Sequence, residues 1–503
     1  MFRRLVVNTG SNVLVMIVKM ALTFIMTPIF IHFLGNYDYG LWEMVAAVLG
    51  YMGMLDLGIK PAISRFASKY KAEEDQHSLL TVYASTLVFM AGIGLLIALM
   101  LGGWGLLFSN VMTPEGEEPL KYTIFLLILA GQMLIVFPGY VTESYLEGFQ
   151  RYNIKNNITI VNSVIGATVF VIFATPANAL LLLALVNAVG LVLKFLIYGV
   201  LLRRPSFGGI VFRLAYFNAT KLRELMTFGF KSFIQGVATR VENATDTLVI
   251  GAFLGPATVP FYSIPQNLVR YIQTLGWTLS HAFMPLFSDL AARSENDKIQ
   301  GIYLVASKIV VGLVMAMGIG AAIVGTPFLA LWIGTEYTEQ SDIILLLLVS
   351  FTVLPLINPF SSRYLTAIGK HGIFARLMPI SAVVNLGLSL LLVQHYGVVG
   401  VAVASLLPSL VLQPVLLVYS CRQLEVSVAT YLRESLLPNV LPLLLMGAVT
   451  AWMRWSVGID SYLLLVITVL LAIVVFCLSF WCLSFNPQER SFVLERSPLR
   501  RST

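Results

Sequence analysis

Charged residues are scarce in this sequence. Lysine, arginine, aspartate and glutamate make up 11% of the 503 residues, whereas hydrophobic residues make up 58%. Soluble domains carry about 25% charged residues, so this composition excludes an ordinary soluble protein and indicates a polytopic membrane protein. In such a protein the positions of the basic residues matter more than the net charge of +7.

Cysteine is also rare, and the three cysteines lack the spacing of a metal or redox site. Cys421, Cys477 and Cys482 are therefore predicted to be packing residues. The phosphate-binding pattern Gly-x4-Gly-Lys-Ser/Thr does not occur, so we do not expect the chain to hydrolyse ATP. No bound cofactor is predicted.

The sequence does contain many long apolar runs. A helix needs about 20 mostly apolar residues to cross a bilayer, and runs of this kind predict about 14 transmembrane helices in an all-α fold. The first run is too long for a signal peptide and is expected to remain in the membrane. The predicted spans are 10–34, 39–59, 80–104, 120–141, 158–175, 180–202, 226–254, 259–277, 302–329, 343–360, 374–393, 398–419, 437–455 and 462–483.

The basic residues of the loops alternate between the two sides of these spans. One side holds only Lys121 and Arg454 and is otherwise acidic. The other side holds Lys60, Arg65, Lys69, Lys71, Arg151, Lys155, Arg203, Arg204, Arg213, Lys221, Arg223, Arg293, Lys298, Arg363, Lys370, Arg376, Arg422 and Arg433. Because cytoplasmic loops carry the excess of Lys and Arg, both termini are predicted to be cytoplasmic.

A repeat of about 220 residues runs through the apolar pattern. Phe-Leu-Gly at 33–35 recurs at 253–255, and Tyr-Leu at 145–146 recurs at 364–365. Two six-helix units then enter the membrane in the same orientation, which is a common plan of secondary transporters. The predicted domains are an N-terminal six-helix lobe (1–204), a C-terminal six-helix lobe (205–434), and two additional transmembrane helices with a basic cytoplasmic tail (435–503).

Ionisable residues inside predicted spans are costly and usually mark a transport pathway or a proton relay. In span seven, at 100° per residue, polar side chains cover one half of the helix and apolar side chains cover the other. The polar half is expected to line water or other polar helices. It comprises Lys231, Gln235, Thr239, Arg240, Glu242, Asn243, Asp246 and Thr247.

Two other predicted spans carry a polar stripe at three- and four-residue spacing. Span eight contains Asn267 and Arg270 on one face, and span one contains Lys19. Lys19 is related by the repeat to a position next to Arg240, so the first helix of each half carries a cation. A basic cavity suits an anionic cargo, because Arg binds phosphate oxygens bidentately. Ion pairs without a transport role are the alternative for the same charges.

Four short segments carry a family resemblance. The sequences YGLW at 39–42, GY at 50–51, LDLGI at 55–59 and RFASKY at 65–70 resemble the N-terminal signature of bacterial oligosaccharide flippases of the Wzx type. These belong to the multidrug/oligosaccharidyl-lipid/polysaccharide (MOP) exporter superfamily. The resemblance implies a cavity between two six-helix lobes that opens alternately to each side of the inner membrane.

The resemblance also implies the cargo and the partners. The cargo would be an oligosaccharide on undecaprenyl pyrophosphate, bound by Lys19, Arg240 and Arg270 and delivered for surface polysaccharide biosynthesis. Membrane lipid and a polysaccharide polymerase or chain-length machinery are the expected partners, and nucleic acid is not. A proton or sodium ion is the hypothetical coupling ion. The polar residues predicted to line the cavity or bind this ion are Asp56, Lys231, Gln235, Glu242, Asn243, Asp246 and Asn267.

Two other functions are weighed against a flippase. A multidrug exporter of the same superfamily would favour an acid-dominated, aromatic-lined cavity, and the three candidate cations count against it. A membrane enzyme such as a polymerase or ligase would be expected to carry a large external loop with catalytic polar residues. The predicted external loops are short, so an enzyme is not expected.

Overall fold

The computed structural model describes residues 2–370 and 372–486, of which 2–9 and 230–244 are described by their backbone alone. Every regular element in these ranges is a helix. Ten helices of the described chain are long and apolar enough to cross a membrane. An all-α, multi-pass membrane fold is therefore confirmed, while the number of about 14 spans stays a prediction.

The chain divides into two compact units, Met1–Ala244 and Thr245–Thr503. The predicted lobe boundary after residue 204 stays a prediction. The first unit contains α1 (Phe2–Met52), α2 (Ile59–Ala72), α3 (Gln76–Phe108), α4 (Pro119–Gly148), α5 (Tyr152–Phe173), α6 (Ala179–Arg203) and the start of α7 (Ala219–Leu254). The second unit contains the end of α7, α8 (Pro260–His281), α9 (Met284–Ala292), α10 (Asn296–Trp332), α11 (Ser341–Val353), α12 (Ser361–Ala367), α13 (Gly372–Gln423), α14 (Val428–Tyr431), α15 (Leu437–Trp452) and α16 (Tyr462–Leu483).

Two helices are about twice the length that a bilayer needs. A straight helix of 51 residues, the length of α1, would extend about 77 Å, whereas the hydrocarbon core is about 30 Å thick. Each long helix contains a glycine with non-helical backbone angles: Gly35 in α1 (φ 67°, ψ 176°) and Gly397 in α13 (φ 56°, ψ −137°). Each therefore covers most of two predicted spans.

The predicted repeat has a matching backbone geometry in the two units. Gly35 and Gly255, the glycines of the repeated Phe-Leu-Gly, have φ angles of 67° and 87°. A third pair, 220 positions apart, shows the same correspondence although the residues differ. Glu74 and Ser294 have φ angles of 56° and 57° and directly precede the N-caps of α3 and α10.

The repeated Tyr-Leu pair ends a helix in the same way in both units. The Arg151 N–H donates to the Leu146 carbonyl at 2.8 Å, and the Lys370 N–H donates to the Leu365 carbonyl at 2.8 Å. Both are the six-residue hydrogen bonds that close a helix C-terminus through a left-handed residue. The sequence repeat therefore reports a structural repeat rather than a chance match of apolar residues.

Each unit has its own apolar core. In the first unit α2, α3 and α4 pack around buried side chains such as Ile63, Tyr83 and Tyr145. In the second unit aromatic rings including Tyr303 and Phe360 pack edge-to-face, with centroids 5.9 Å apart. The packing prediction is wrong for two cysteines, since only Cys421 is buried, whereas Cys477 and Cys482 are exposed on α16.

Candidate functional site

A buried aspartate lies at the centre of a hydrogen-bonded network in the second unit. Asp246, on α7, is 1% exposed. Its Oδ2 accepts a hydrogen bond from the Tyr262 hydroxyl on α8 at 2.5 Å and another from the Ser405 hydroxyl on α13 at 2.9 Å. The Asn385 amide donates to the same serine at 3.1 Å. We call these four residues the Asp246 network.

Several oxygens in and beside the Asp246 network have no hydrogen-bond partner among the described residues. They include Asp246 Oδ1, Asn385 Oδ1 and the hydroxyls of Ser263 and Ser389. A buried polar atom left without a partner costs about 1–3 kcal/mol. Oxygen atoms are the ligands that hard cations prefer, and a carboxylate also binds a proton. The network is therefore equipped to take up a proton or a small cation.

Asp246 forms no ion pair with any cation whose side chain the structure describes. Arg270, which lies two turns beyond Tyr262 on α8, acts on the carboxylate electrostatically. Arg270 is exposed, and its Nη2 is 3.3 Å from Gln266 Oε1. The partly exposed Asn267 precedes it on the same helix. The structure thus brings three predicted site residues, Asp246, Asn267 and Arg270, into one unit.

Lys19, the predicted cation of the first helix, is exposed on α1 in the other unit. The polar residues beside it are satisfied locally, since the Thr23 hydroxyl donates to the Lys19 carbonyl at 2.9 Å. Nearer its start, α1 packs against α5, where the Asn156 amide donates to Asn12 Oδ1 at 2.6 Å. The role of Lys19 in binding cargo stays a prediction.

Asp56 shapes a turn between two helices. Its Oδ1 accepts the Gly58 N–H at 2.8 Å, and its Oδ2 lies 3.8 Å from Lys60 Nζ. Leu57 and Gly58 both have positive φ angles, so the carboxylate stabilises a left-handed connection from α1 to α2. These contacts give Asp56 a structural role, and its predicted role in ion coupling stays a prediction.

The other predicted site residues lie on the central part of α7. The backbone there is helical, but the side chains are outside the described residues. Their predicted roles therefore stay predictions. They are Lys231, Gln235, Arg240, Glu242 and Asn243.

Sequence analysis missed a cluster of ion pairs in the first unit. Lys155 Nζ on α5 lies 2.6 Å from Glu147 Oε1 and 3.7 Å from Glu143 Oε1, both on α4. Lys194 Nζ on α6 lies 3.7 Å from the other oxygen of Glu143. We call these four residues the Lys155 cluster, and it joins three helices.

Lys308, whose place near a span end suggests that it extends to the membrane surface, is buried instead. Its side chain on α10 is only 3% exposed, and its Nζ donates to the Ser484 carbonyl at 3.3 Å. This carbonyl ends α16, where unpaired carbonyls and the helix dipole favour a cation. Lys308 therefore ties α10 to the last helix.

A family profile decides what kind of protein this is. The profile described as "Polysaccharide biosynthesis protein" matches residues 5–291, more than half of the chain. The chain belongs to this polysaccharide biosynthesis family. A putative O-antigen transporter from Shigella flexneri is 22% identical over 386 residues, which cover 74% of this chain and 87% of the relative.

Solved structures give the fold of this polysaccharide biosynthesis protein. The lipid II flippase MurJ, in an inward closed conformation, aligns with a TM-score of 0.67 at 15% identity over 93% of this chain and 98% of that one. An inward-facing MATE family multidrug transporter of the MOP superfamily aligns with a TM-score of 0.65 at 16% identity over 80% and 94%. The resemblance to oligosaccharide flippases is confirmed, and the chain is a multi-pass membrane transport protein rather than an enzyme.

Proposed function

We propose that this protein is a flippase that moves an undecaprenyl-pyrophosphate-linked oligosaccharide across the bacterial inner membrane by alternating access. Membership of a polysaccharide biosynthesis family and similarity to a putative O-antigen transporter support a lipid-linked glycan as cargo. The observation that carries the proposal is the exposed Arg270 on α8, the helix whose Tyr262 donates a hydrogen bond to the buried carboxylate of Asp246. A chain of apolar helices retains such a costly pair of charges for transport.

The proposed cargo is anionic where it meets the protein. A diphosphate carries several oxygens that accept hydrogen bonds, and a guanidinium binds two of them at once. We assign the contact with the diphosphate to Arg270, Lys19 and Arg240. Cationic drugs would be repelled by the same residues. The positive charge of these residues therefore favours a flippase over a multidrug exporter.

We propose that Asp246 couples transport to an ion gradient. A proton or sodium ion bound at the Asp246 network neutralises a carboxylate whose donors among the described side chains are the hydroxyls of Tyr262 and Ser405. The ion shifts the inward–outward equilibrium only by the difference between its affinities for the two states. Purified protein in vesicles should therefore transport faster when a proton or sodium gradient is imposed, and transport that ignores both gradients contradicts this part.

The test of the cargo is a lipid extract from cells that lack the gene, analysed by mass spectrometry. One complete lipid-linked repeat unit should accumulate and should be cleared by the wild-type protein but not by Arg270→Ala. Arg293→Ala is the matched control, because Arg293 is exposed on α9 and bound to Asp289 at 3.0 Å. No accumulation, together with resistance of overexpressing cells to cationic dyes, supports the exporter instead.

The proposed pathway places the protein between two other activities. A glycan assembled on its carrier lipid on the cytoplasmic side becomes, after transport, the substrate of a polymerase or chain-length machinery on the outer side. Both termini of the flippase are proposed to lie in the cytoplasm, as the basic loops indicate. Labelling of cysteines introduced at 115 and 206, on loops predicted to face opposite sides, tests this orientation in intact cells.

A further inference from the structure

The segment between α6 and α7 exposes apolar side chains although it lies outside the candidate membrane spans. Residues 204–218 form two short 3-10 turns joined by extended chain. Val211, Phe212, Leu214 and Phe217 are 43%, 42%, 66% and 41% exposed. We call these four side chains the linker surface. Exposed clusters of large apolar residues mark a contact with a partner or a membrane.

The linker is fixed in place from within its own unit. Ile210 is 2% exposed, and its N–H donates to the Leu202 carbonyl at 2.8 Å. The Gln76 amide donates to the Gly208 carbonyl at 2.8 Å, and the Asn218 N–H donates to the Ser85 hydroxyl at 2.9 Å. The linker surface is therefore presented by a docked backbone, with Ile210 and Phe207 packed inward and the four side chains of the linker surface left outside.

The charged residues of the linker sequence itself are all basic, and one of them, Lys221, is paired with Glu224 at 2.7 Å. Residues 203–223 contain no aspartate or glutamate. They contain five basic residues, Arg203, Arg204, Arg213, Lys221 and Arg223. Apolar side chains interspersed with Arg and Lys are the pattern of segments that lie in the headgroup region of a membrane with anionic lipids. An acidic protein surface would match the charges, but it would leave the four apolar side chains without a nonpolar environment.

We propose that the linker surface is a membrane-interface anchor that binds anionic phospholipid. The linker joins the ends of two helices, α6 and α7, so its backbone lies within reach of the headgroups. Val211, Phe212, Leu214 and Phe217 enter the boundary between headgroups and acyl chains, while Arg204 and Arg213 contact lipid phosphates. The anchor does not depend on the cargo or on the coupling ion, so it stands or falls separately from the proposed function.

Spin labelling tests the position of the linker surface. Phe212→Cys is introduced into the full-length chain after Cys421, Cys477 and Cys482 are replaced by alanine, and the labelled protein is placed in phospholipid vesicles. We expect the nitroxide to collide several-fold more often with oxygen, which concentrates in the bilayer, than with a water-soluble nickel chelate. Glu115→Cys, on an exposed acidic loop, is the control and should show the opposite ratio.

Two outcomes of this measurement overturn the anchor. A label at 212 that resembles the one at 115 places the linker surface in water. A label that is immobile and protected from both reagents places it against protein, which indicates a second copy of the chain or another partner. Because Phe212 is already exposed, its substitution is not expected to prevent folding, and unchanged melting in detergent checks this.

The choice between anionic and neutral lipid has its own test. The label at 212 should lie deeper in vesicles of phosphatidylcholine mixed with phosphatidylglycerol than in phosphatidylcholine alone. The double variant Arg204→Gln/Arg213→Gln should lose this difference, whereas Arg293→Gln on α9 should keep it. Equal depth in both lipids overturns the part of the proposal that assigns the arginines to lipid phosphates.

Discussion

The two units accommodate buried charge in opposite ways. In the first unit the carboxylates of Glu143 and Glu147 face two lysine ammonium groups, with the closest nitrogen–oxygen distance at 2.6 Å. In the second unit the carboxylate of Asp246 is almost fully buried and is held by hydroxyl groups. The first arrangement is already neutralised by the protein, whereas in the second no described cation is paired with the carboxylate.

This difference separates a structural task from a transport task. An ion pair whose partners are both supplied by the chain needs no ion from outside and holds together the helices that carry it. A carboxylate that lacks a described countercharge costs free energy unless it takes up a proton or a cation. We therefore expect changes in the Lys155 cluster to lower stability and changes in the Asp246 network to lower transport.

The largest effect should follow from Asp246→Asn. The amide has the same size and still accepts hydrogen bonds from Tyr262 and Ser405, but it cannot bind a proton or hold a cation by charge. Loss of a coupling free energy of 1–3 kcal/mol corresponds to roughly a 5- to 150-fold reduction in gradient-driven transport. Flux of lipid-linked glycan into vesicles under an imposed ion gradient measures the loss.

Asp289→Asn is the matched control for Asp246→Asn, because Asp289 is an exposed acid of the same unit. It should transport at the wild-type rate. If transport by Asp246→Asn still depended fully on the ion gradient, then Asp246 would not be the residue that couples transport to the ion. A large fall in its melting temperature would instead assign Asp246 a structural task.

The next effect concerns the first unit. Lys155→Met leaves Glu147 without its closest cation and leaves Glu143 with Lys194 at 3.7 Å. Removal of one partner of a fully buried pair costs about 3–5 kcal/mol. The side chains of the Lys155 cluster are between 13% and 30% exposed. Solvent therefore reduces the cost of losing Lys155 to about 2–3 kcal/mol. Thermal unfolding in detergent measures the change.

A second substitution sharpens the result for the Lys155 cluster. Glu147→Gln in the Lys155→Met background removes the unpaired charge and should restore part of the stability, as a double-mutant cycle would reveal. If the two changes simply add, then Lys155 and Glu147 do not interact, and the ion-pair account of this cluster is wrong.

A smaller effect is expected from Tyr262→Phe. The change removes one hydroxyl donor from Asp246 and leaves the other, so the free energy of unfolding should fall by about 1–3 kcal/mol. Transport should be reduced less than in Asp246→Asn. Tyr396→Phe is the control, since Tyr396 is 66% exposed. Equal effects of the two tyrosine changes would show that the hydroxyl of Tyr262 contributes nothing specific.

The smallest effect should come from the contacts of Glu117, which lies in the loop before α4. Lys121 and Tyr122 both donate to Glu117, and these hydrogen bonds lower the pKa of the Glu117 carboxyl. A lowered pKa stabilises the fold above the unfolded value of about 4.3, and the gain is lost as the pH falls through the folded value. Because Glu117 is 44% exposed, the gain is at most about 1 kcal/mol.

Melting curves of the wild type and of Glu117→Gln test the contribution of these Glu117 contacts to stability. The difference in melting temperature should be small at pH 7 and should vanish once the wild-type carboxyl is protonated. A difference that grows on acidification has the wrong sign and contradicts the lowered pKa.

Hydrophobicity alone predicted much of the fold. Apolar runs located helices such as α3 and α16 within a few residues, because every backbone group in a bilayer must be bonded within a helix. The repeat predicted equivalent helix ends, and Gly35 and Gly255 adopt similar φ angles. The pattern did not predict that residues around Asp56 form a left-handed turn, since that geometry depends on a short side-chain contact rather than on hydropathy.

The candidate site was only partly predictable. Asp246 was found because a charge on an apolar helix is conspicuous. The other members of its network, Tyr262, Asn385 and Ser405, were missed, because a hydroxyl or amide inside a span is common and the contacts join residues up to 159 positions apart. The four-residue spacing of Asn385 and Ser389 in predicted span eleven was the available signal.

The Lys155 cluster was missed for a different reason. Loop residues such as Lys155 were assigned to the orientation of the chain, and their pairing with Glu143 and Glu147 depends on how three helices pack. A lysine near the end of a predicted span, such as Lys194, often extends to the membrane surface. Its pairing with Glu143 shows that a nearby carboxylate can offer a closer alternative than the headgroups.

The non-helical backbone at Gly35 and Gly397 also bears on how the chain is inserted into the membrane during its synthesis. In each case two apolar runs are separated by only a few residues, so we expect them to leave the ribosome almost together and to enter the membrane as one unit. No neighbouring side chain would obstruct a Cβ atom at Gly35, and the requirement for glycine there comes from its positive φ alone. Damage at this residue should therefore reduce how many molecules reach the membrane correctly, rather than how well each finished molecule transports its cargo.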